Sequence, residues 1–168
     1  MKAKKLYNVI FPLWLVIWLP NTLWLFIIPL NLIIDFLVLY LCQKKLQLDQ
    51  PKFLLKHGWK TWLLGFVADI CGSVFLLAVM FVLGLFGSTA TTDTLDNIGQ
   101  ALIWNCFTSL PALFITLTAV LLSGLLIYKF NHSVYERFMD EEEAHYIALR
   151  LAVFTAPYLF LIPIAWFY

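Results

Sequence analysis

Four long apolar blocks, interrupted only by short charged segments, make up most of this 168-residue sequence. They cover residues 9–42, 61–87, 101–128 and 147–168. A helix of about 20 apolar residues spans the ~30 Å hydrocarbon core of a bilayer, so each block is long enough to cross it. Because lipid supplies no hydrogen bonds, the backbone of such blocks has to be helical. We therefore predict an all-α, polytopic integral membrane protein whose helices form a single bundle.

The composition favours lipid over water as the surrounding solvent. Hydrophobic residues make up 62% and charged residues 12% of the chain, whereas soluble domains contain roughly 45–50% and about 25%. In water such a chain would expose large apolar patches. With a net charge of +1, it has no basic field for nucleic acid. The bilayer is the expected partner, and we expect no nucleic acid, metal or cofactor.

The first apolar block is too long for one straight span and too short for two, which would need about 40 residues. Prolines at positions 12, 20 and 29 interrupt it, and each removes a backbone donor. We predict a short hairpin that turns near Pro20-Asn21 and either crosses the membrane or stops inside the protein. About five membrane segments result: 9–20, 22–42, 61–87, 101–128 and 147–167.

The positions of the basic residues predict the orientation of the chain. They form three clusters: Lys2, Lys4 and Lys5; Lys44, Lys45, Lys52, Lys56 and Lys60; and Lys129, Arg137 and Arg150. Segment 88–100 has acidic residues and no basic ones. By the positive-inside rule, the amino terminus, the basic linker 43–60 and the loop 129–146 are cytoplasmic. Loop 88–100 and the carboxyl terminus are then external, as in a plasma-membrane or inner-membrane protein.

Two of the predicted cytoplasmic segments have a recognisable pattern. Linker 43–60 mixes lysines with leucines and aromatic residues, which is typical of elements that lie on anionic lipid. The headgroups would bind near Lys44, Lys45, Lys52 and Lys56. A basic loop that only sets the orientation explains the pattern equally well. In the other segment, Asp140 and the three glutamates after it predict an N-cap and the first turn of the last helix.

Asp35 and Asp69 are acidic residues at membrane depth, where an acid costs about 2.5–3.5 kcal/mol unless it faces a protein interior or a water-filled cavity. Each is nine residues from a flanking lysine, Lys44 or Lys60. At ~1.5 Å per residue both lie roughly 13 Å inside the basic margin, so they can face each other. Asn31 lies one turn before Asp35 on the same helix face.

The spans that carry these two acids contain no basic residue. Two carboxylates in a low-dielectric interior are expected to share a proton or hold a cation. We therefore predict a proton or cation site formed by Asp35, Asp69 and Asn31. The alternative is that the acids are hydrogen-bonded packing groups, or that they pair with Lys44 and Lys60 reaching inward.

Small and hydroxyl-bearing residues recur at steps of three and four along the third apolar block. They are Asn105, Thr108, Ser109, Ala112, Thr116, Ala119 and Ser123. This spacing predicts a helix–helix seam, with a polar path as the alternative. Its main polar members are Asn105, Thr108, Thr116 and Ser123.

Common catalytic signatures are absent from the sequence, including G-x-S-x-G, H-E-x-x-H and the phosphate-binding glycine loops. We expect a small transporter, channel or proton- or cation-handling subunit that uses Asp35 and Asp69. A non-catalytic accessory or assembly subunit is the first alternative, and an intramembrane enzyme acting on lipid or peptide is the second. So slender a bundle is expected to associate with further copies of itself or with another membrane protein.

Overall fold

The computed structural model of the protein describes residues 24–48, 53–86 and 92–166. Five α-helices occupy most of these ranges: α1 (Trp24–Lys45), α2 (Phe53–Phe86), α3 (Thr92–Trp104), α4 (Leu110–Tyr135) and α5 (Glu141–Thr155). Short 3₁₀ turns follow α3 and α5, and the three described ranges contain no strand. The all-α prediction is confirmed. The expected first hairpin limb at 9–20, the lysines at positions 2, 4 and 5, and Lys52 lie outside the described residues.

Four segments are long and apolar enough to cross a membrane. They are Leu25–Lys45, Phe53–Phe86, Leu110–Tyr135 and Glu141–Leu161. Large apolar side chains such as Phe26, Phe81 and Leu121 are exposed on their outer surfaces, each by more than 60%. Such a surface would be costly in water and is ordinary in lipid. The fold therefore indicates an integral membrane protein.

The four long helices pack in a ring in which each touches two others, in the order α1, α2, α4, α5 and back to α1. Consecutive long helices run antiparallel. The Thr61 hydroxyl of α2 meets the Tyr135 hydroxyl at the end of α4, and Tyr128 of α4 bonds His145 near the start of α5. The result is an up-down-up-down four-helix bundle. The short helix α3 packs against α2 and α4.

This antiparallel arrangement gives the bundle two chemically different ends. The ends of α1 and α4 and the starts of α2 and α5 lie together, and this basic end carries exposed cations: Lys44, Lys45, Lys56, Lys60, Lys129 and Arg137. The opposite end, which we call the α3 end, is where α3 packs and exposes Asp96.

The helix expected over 101–128 is two helices, which corrects the sequence prediction. Helix α3 occupies most of the expected loop 88–100, and α4 begins only at Leu110. Between them, Asn105 and Ser109 have extended backbones, and the Asn105 side chain accepts a hydrogen bond from the backbone N–H of Phe107. Pro111 lies in the first turn of α4, where its missing N–H costs nothing.

Other boundaries also differ from those expected. Helix α2 begins at Phe53, so part of linker 43–60 is helical, and α4 continues to Tyr135, inside the expected loop 129–146. Helix α5 begins after Asp140, as predicted, although the Asp140 side chain makes no capping hydrogen bond. It ends at Thr155 and not near 167, because Pro157 disfavours a helical conformation at the residue before it.

Candidate functional site

A layer of buried polar side chains crosses the bundle between two apolar clusters. The cluster towards the basic end includes Leu39 and Ile147, and the cluster towards the α3 end includes Leu76 and Phe160. Each long helix contributes at least one residue to the polar layer, whose members are Asp35 of α1, Asp69 and Ser73 of α2, Ser123 of α4 and Thr155 of α5. Buried polar groups are costly unless they find partners, so their contacts decide what the layer can do.

The structure brings Asp35 and Asp69 together. Only 2% of Asp35 and 7% of Asp69 is exposed, and the two carboxyl groups interact electrostatically. The Asn31 side chain hydrogen-bonds the Asp69 carboxyl. Oδ2 of Asp35 and Oδ1 of Asp69 are inaccessible and have no hydrogen-bond partner among the described residues. All three residues of the predicted ion site therefore lie at one place, with spare acceptor atoms.

A glycine makes room for the Asp35 carboxyl. Its Oδ2 lies 3.6 Å from the position that a Cβ of Gly65 would take. Gly65 is one turn before Asp69 on α2, so the two acids contact neighbouring turns of the same helix. A larger side chain at this position would occupy the space that Asp35 uses.

The hydroxyl groups of the layer provide the acids with few donors. Thr155 contacts the Asp35 carboxyl, but its hydroxyl also donates to the Leu151 carbonyl at 2.8 Å. Ser73 donates to the backbone carbonyl of Asp69 at 3.1 Å. Such bonds to the preceding turn are common for hydroxyl residues in helices. They leave the carboxyl oxygens available to another partner.

Basic side chains are absent from the polar layer within the described ranges. Lys44 and Lys60 are exposed at the basic end, and the salt bridge seen among the described residues joins His132 to Glu136 at 3.1 Å. The expected alternative, in which the two lysines reach inward to the acids, is not seen in this structure. Nothing described in the layer therefore neutralises Asp35 and Asp69.

Helix α5 ends inside the bundle, beside the layer. After Thr155 the chain leaves the α-helix at Ala156-Pro157 and continues in 3₁₀ turns. The end of a helix carries partial negative charge on its free carbonyl groups. One of these, on Val153, accepts a hydrogen bond from the Tyr158 hydroxyl at 2.5 Å. In membrane transporters such broken helices contribute carbonyl ligands for cations. The break therefore adds negative potential near Thr155, the α5 residue that contacts Asp35.

Two of the four predicted seam residues lie on the buried face of α4. Thr116 and Ser123 are at most 2% exposed, and a Cβ on Gly72 of α2 would collide with the Ser123 hydroxyl. Small residues thus allow α2 and α4 to approach closely. Asn105 and Thr108 were predicted on the same seam and are not there. They lie in the break before α4, where Thr108 is exposed and donates to the Asn105 carbonyl at 2.8 Å.

A group of buried polar residues between the layer and the basic end was not predicted from the sequence. Thr61 and Tyr135 join α2 to α4 through their hydroxyl groups, 2.6 Å apart. His57 lies against the rings of Phe53 and Tyr135 and is 5% exposed. His57 and Thr61 were overlooked because they were assigned to the linker or its margin. The sequence did contain a signal: these two residues continue, at steps of four, the helix face that carries Gly65 and Asp69.

An apolar groove lies apart from the polar layer, between α4 and α5. Its volume is about 570 Å³, and its walls include Leu121, Leu125 and Val153. Tyr128 and His145 line it towards the basic end. None of the layer residues lines this groove, so it does not lead to the acids.

Comparison of the chain with protein family models, curated proteins and solved structures finds no match.

Proposed function

We propose that this protein binds a proton or a small monovalent cation between Asp35 and Asp69, and that it acts as a small transporter or as an ion-handling subunit of a membrane complex. One observation carries the proposal: two buried, mutually interacting carboxyl groups retain unpartnered oxygens. Acids at such depth mark ion pathways and proton relays in membrane proteins.

The energetics favour a bound positive charge. Burial and mutual repulsion both disfavour a state in which Asp35 and Asp69 are ionised together. A shared proton or a bound cation removes the repulsion and supplies the missing partner for the free oxygens. Besides the carboxylates, the Thr155 hydroxyl places an oxygen atom beside Asp35, and oxygen atoms are the ligands preferred by hard cations.

The basic end would face the cytoplasm under the positive-inside rule. With this orientation the start of α1 and the carboxyl terminus are outside, so a cytoplasmic amino terminus also requires segment 9–20 to cross the membrane. We assign the protein to a plasma or inner membrane. The exposed Lys44, Lys45 and Lys56 then lie where anionic headgroups are found.

A single bundle of this width has little room for a wide aqueous path, so we further propose that it works as a homo-oligomer or with another membrane protein. The acids would then form one binding step of a pathway completed by the assembly. This proposal differs from the accessory-subunit alternative, because an accessory subunit needs no ion bound at the two acids.

Ion uptake into vesicles tests the proposal. Purified protein is reconstituted with an entrapped pH dye, and proton uptake is followed under a potassium-diffusion potential; a parallel assay uses radioactive sodium. Asp35→Asn and Asp69→Asn should each lower the uptake of one of these ions at least tenfold. Asp96→Asn is the matched control, since Asp96 is an exposed acid outside the layer, and it should leave uptake unchanged.

Other outcomes separate the alternatives. If neither ion is taken up and the two Asn variants instead change which membrane proteins co-purify, the accessory role replaces the proposed one. Turnover of lipid headgroups or peptide by the purified protein, lost in the same variants, would identify an intramembrane enzyme.

A further inference from the structure

One face of α2 carries a buried polar residue or a glycine at every fourth position, from the basic end to the polar layer. The members of this polar stripe are His57, Thr61, Gly65, Asp69 and Ser73, all of them buried. At ~1.5 Å per residue it extends roughly 24 Å along the helix axis, most of the ~30 Å thickness of the hydrocarbon core. A row of buried residues, four of them polar, thus extends from the basic end to the polar layer.

Neighbouring helices complete the stripe. Tyr135 of α4 places its hydroxyl 2.6 Å from that of Thr61, and either oxygen can be the donor. The gap at Gly65 is filled by the Asp35 carboxyl of α1. Tyr135 also interacts electrostatically with Asp35. The line therefore runs from His57 through the hydroxyl pair to Asp35 and then to Asp69.

The bond between Thr61 and Tyr135 differs from those of the other buried hydroxyl residues. Ser73, Thr116 and Thr155 each donate to a backbone carbonyl of their own helix, four residues back. Thr61 instead bonds across to another helix, through a pair of groups that can exchange donor and acceptor roles. A pair of hydroxyl groups that can exchange these roles is able to pass a proton from one helix to the other.

His57 stands at the basic end of the line. Its ring packs on Phe138 with centroids 4.4 Å apart and lies 6.1 Å from the ring of Tyr135. Its Nδ1 is buried and has no hydrogen-bond partner among the described residues. Lys56 and Lys60 are its charged neighbours, both on α2. Imidazole exchanges protons near neutral pH more readily than any other side chain.

We infer that His57, Tyr135 and Thr61 form a proton relay between the basic end and Asp35. The inference rests on the proposed function, since Asp35 and Asp69 are the destination. A proton leaves Nδ1 of His57 for the Tyr135 oxygen while the phenol proton moves to Thr61, and the Thr61 hydroxyl proton moves to Asp35. One N–H and two O–H bonds break, three O–H bonds form, and no electrons are transferred. The structure shows a hydrogen bond for the step between Tyr135 and Thr61; the steps from His57 to Tyr135 and from Thr61 to Asp35 would each need a bridging water.

Time-resolved infrared spectroscopy tests the relay without requiring net transport. The protein is reconstituted with its basic end facing the outer solution, the outer pH is lowered, and the carbonyl stretch of protonated carboxyl groups is followed. Tyr135→Phe and Thr61→Val each remove one hydroxyl and keep the side-chain shape. Both should slow the rise of the band at least tenfold and leave its final amplitude unchanged. Tyr128→Phe is the matched control, because Tyr128 bonds a histidine, His145, outside the polar stripe, and it should behave as the wild type.

The outcomes distinguish the relay from the site it serves. Unchanged rates in both hydroxyl variants, with a normal band that depends on Asp35, would overturn the relay and leave the ion site standing. If Asp35→Asn and Asp69→Asn leave the wild-type band unaltered, both the relay and the ion site are overturned. Thr61 and Tyr135 are substituted in separate variants. If one variant misfolds, the other still tests the relay.

Discussion

The Asp35 carboxyl of α1 occupies the space left by the missing side chain of Gly65 on α2, with Oδ2 3.6 Å from where a Cβ would stand. This contact places one acid between Thr61 and Asp69 along the polar stripe. It also explains how two carboxyl groups from different helices come together: the glycine leaves room for the Asp35 carboxyl beside α2.

We expect position 65 to tolerate a methyl group but not a large side chain. Gly65→Ala should leave the melting temperature in detergent close to that of the wild type, because 3.6 Å is an ordinary van der Waals contact. Gly65→Leu should displace the Asp35 carboxyl and lower stability by about 1–3 kcal/mol through overpacking. Equal melting temperatures for the Ala and Leu variants would show that Asp35 does not use this space.

Gly72 should be far less tolerant than Gly84. A Cβ at Gly72 would meet the Ser123 hydroxyl, with the Ala119 carbonyl 3.1 Å away, whereas nothing lies within 4 Å at Gly84. Gly72→Ala is expected to separate α2 from α4 and cost about 1–3 kcal/mol. Gly84→Ala is the control and should be neutral or slightly stabilising, since alanine favours helix. Thermal unfolding of both variants checks the difference, and a neutral Gly72→Ala would refute the close approach.

Asp35→Asn and Asp69→Asn should not destabilise the protein. Each substitution leaves one ionisable carboxyl group at the site, so that two like charges can never face each other there, and keeps a polar side chain of the same size. We expect melting temperatures equal to or above that of the wild type, together with the loss of ion binding. A marked fall in melting temperature in both variants would mean instead that the acids are structural groups of the helix packing.

The hydroxyl pair of Thr61 and Tyr135 should be coupled energetically. Thr61→Val and Tyr135→Phe each leave one buried hydroxyl without its partner, and each should cost about 1 kcal/mol. The double variant removes both polar groups, so it should cost less than the sum of the two. A double-mutant cycle on unfolding free energies measures this coupling, and strict additivity would contradict the bond.

The meeting of Asp35 and Asp69 follows from counting residues. Each acid is nine residues from a lysine at the same end of an antiparallel helix pair, and the constant rise of a helix converts equal counts into equal depth. Asn31 follows from the same reasoning, since one turn of helix separates it from Asp35. This part of the site needs no tertiary information beyond the antiparallel arrangement of α1 and α2.

The residues that sequence reasoning missed lie where helices continue beyond the apolar blocks. His57 lies among lysines in the sequence, and so many charged residues are typical of a loop. In the structure, however, α2 already begins at Phe53. The break before α4 was overlooked because small residues continue at helical spacing through it. Pro111 was the usable signal, since proline is favoured in the first turn of a helix. Pro157 similarly marks the end of α5.

The proposed function requires the carboxyl pair of Asp35 and Asp69 to hold a positive charge inside the membrane. Equilibrium infrared spectra of the protein in lipid nanodiscs at neutral pH, recorded with and without sodium, measure this directly. We predict that the sodium-free wild type has a protonated-carboxyl band and that the Asp35→Asn, Asp69→Asn double variant lacks it. If the site prefers a metal cation, sodium should weaken this band in the wild type. Identical spectra for wild type and double variant in both buffers would contradict the proposal.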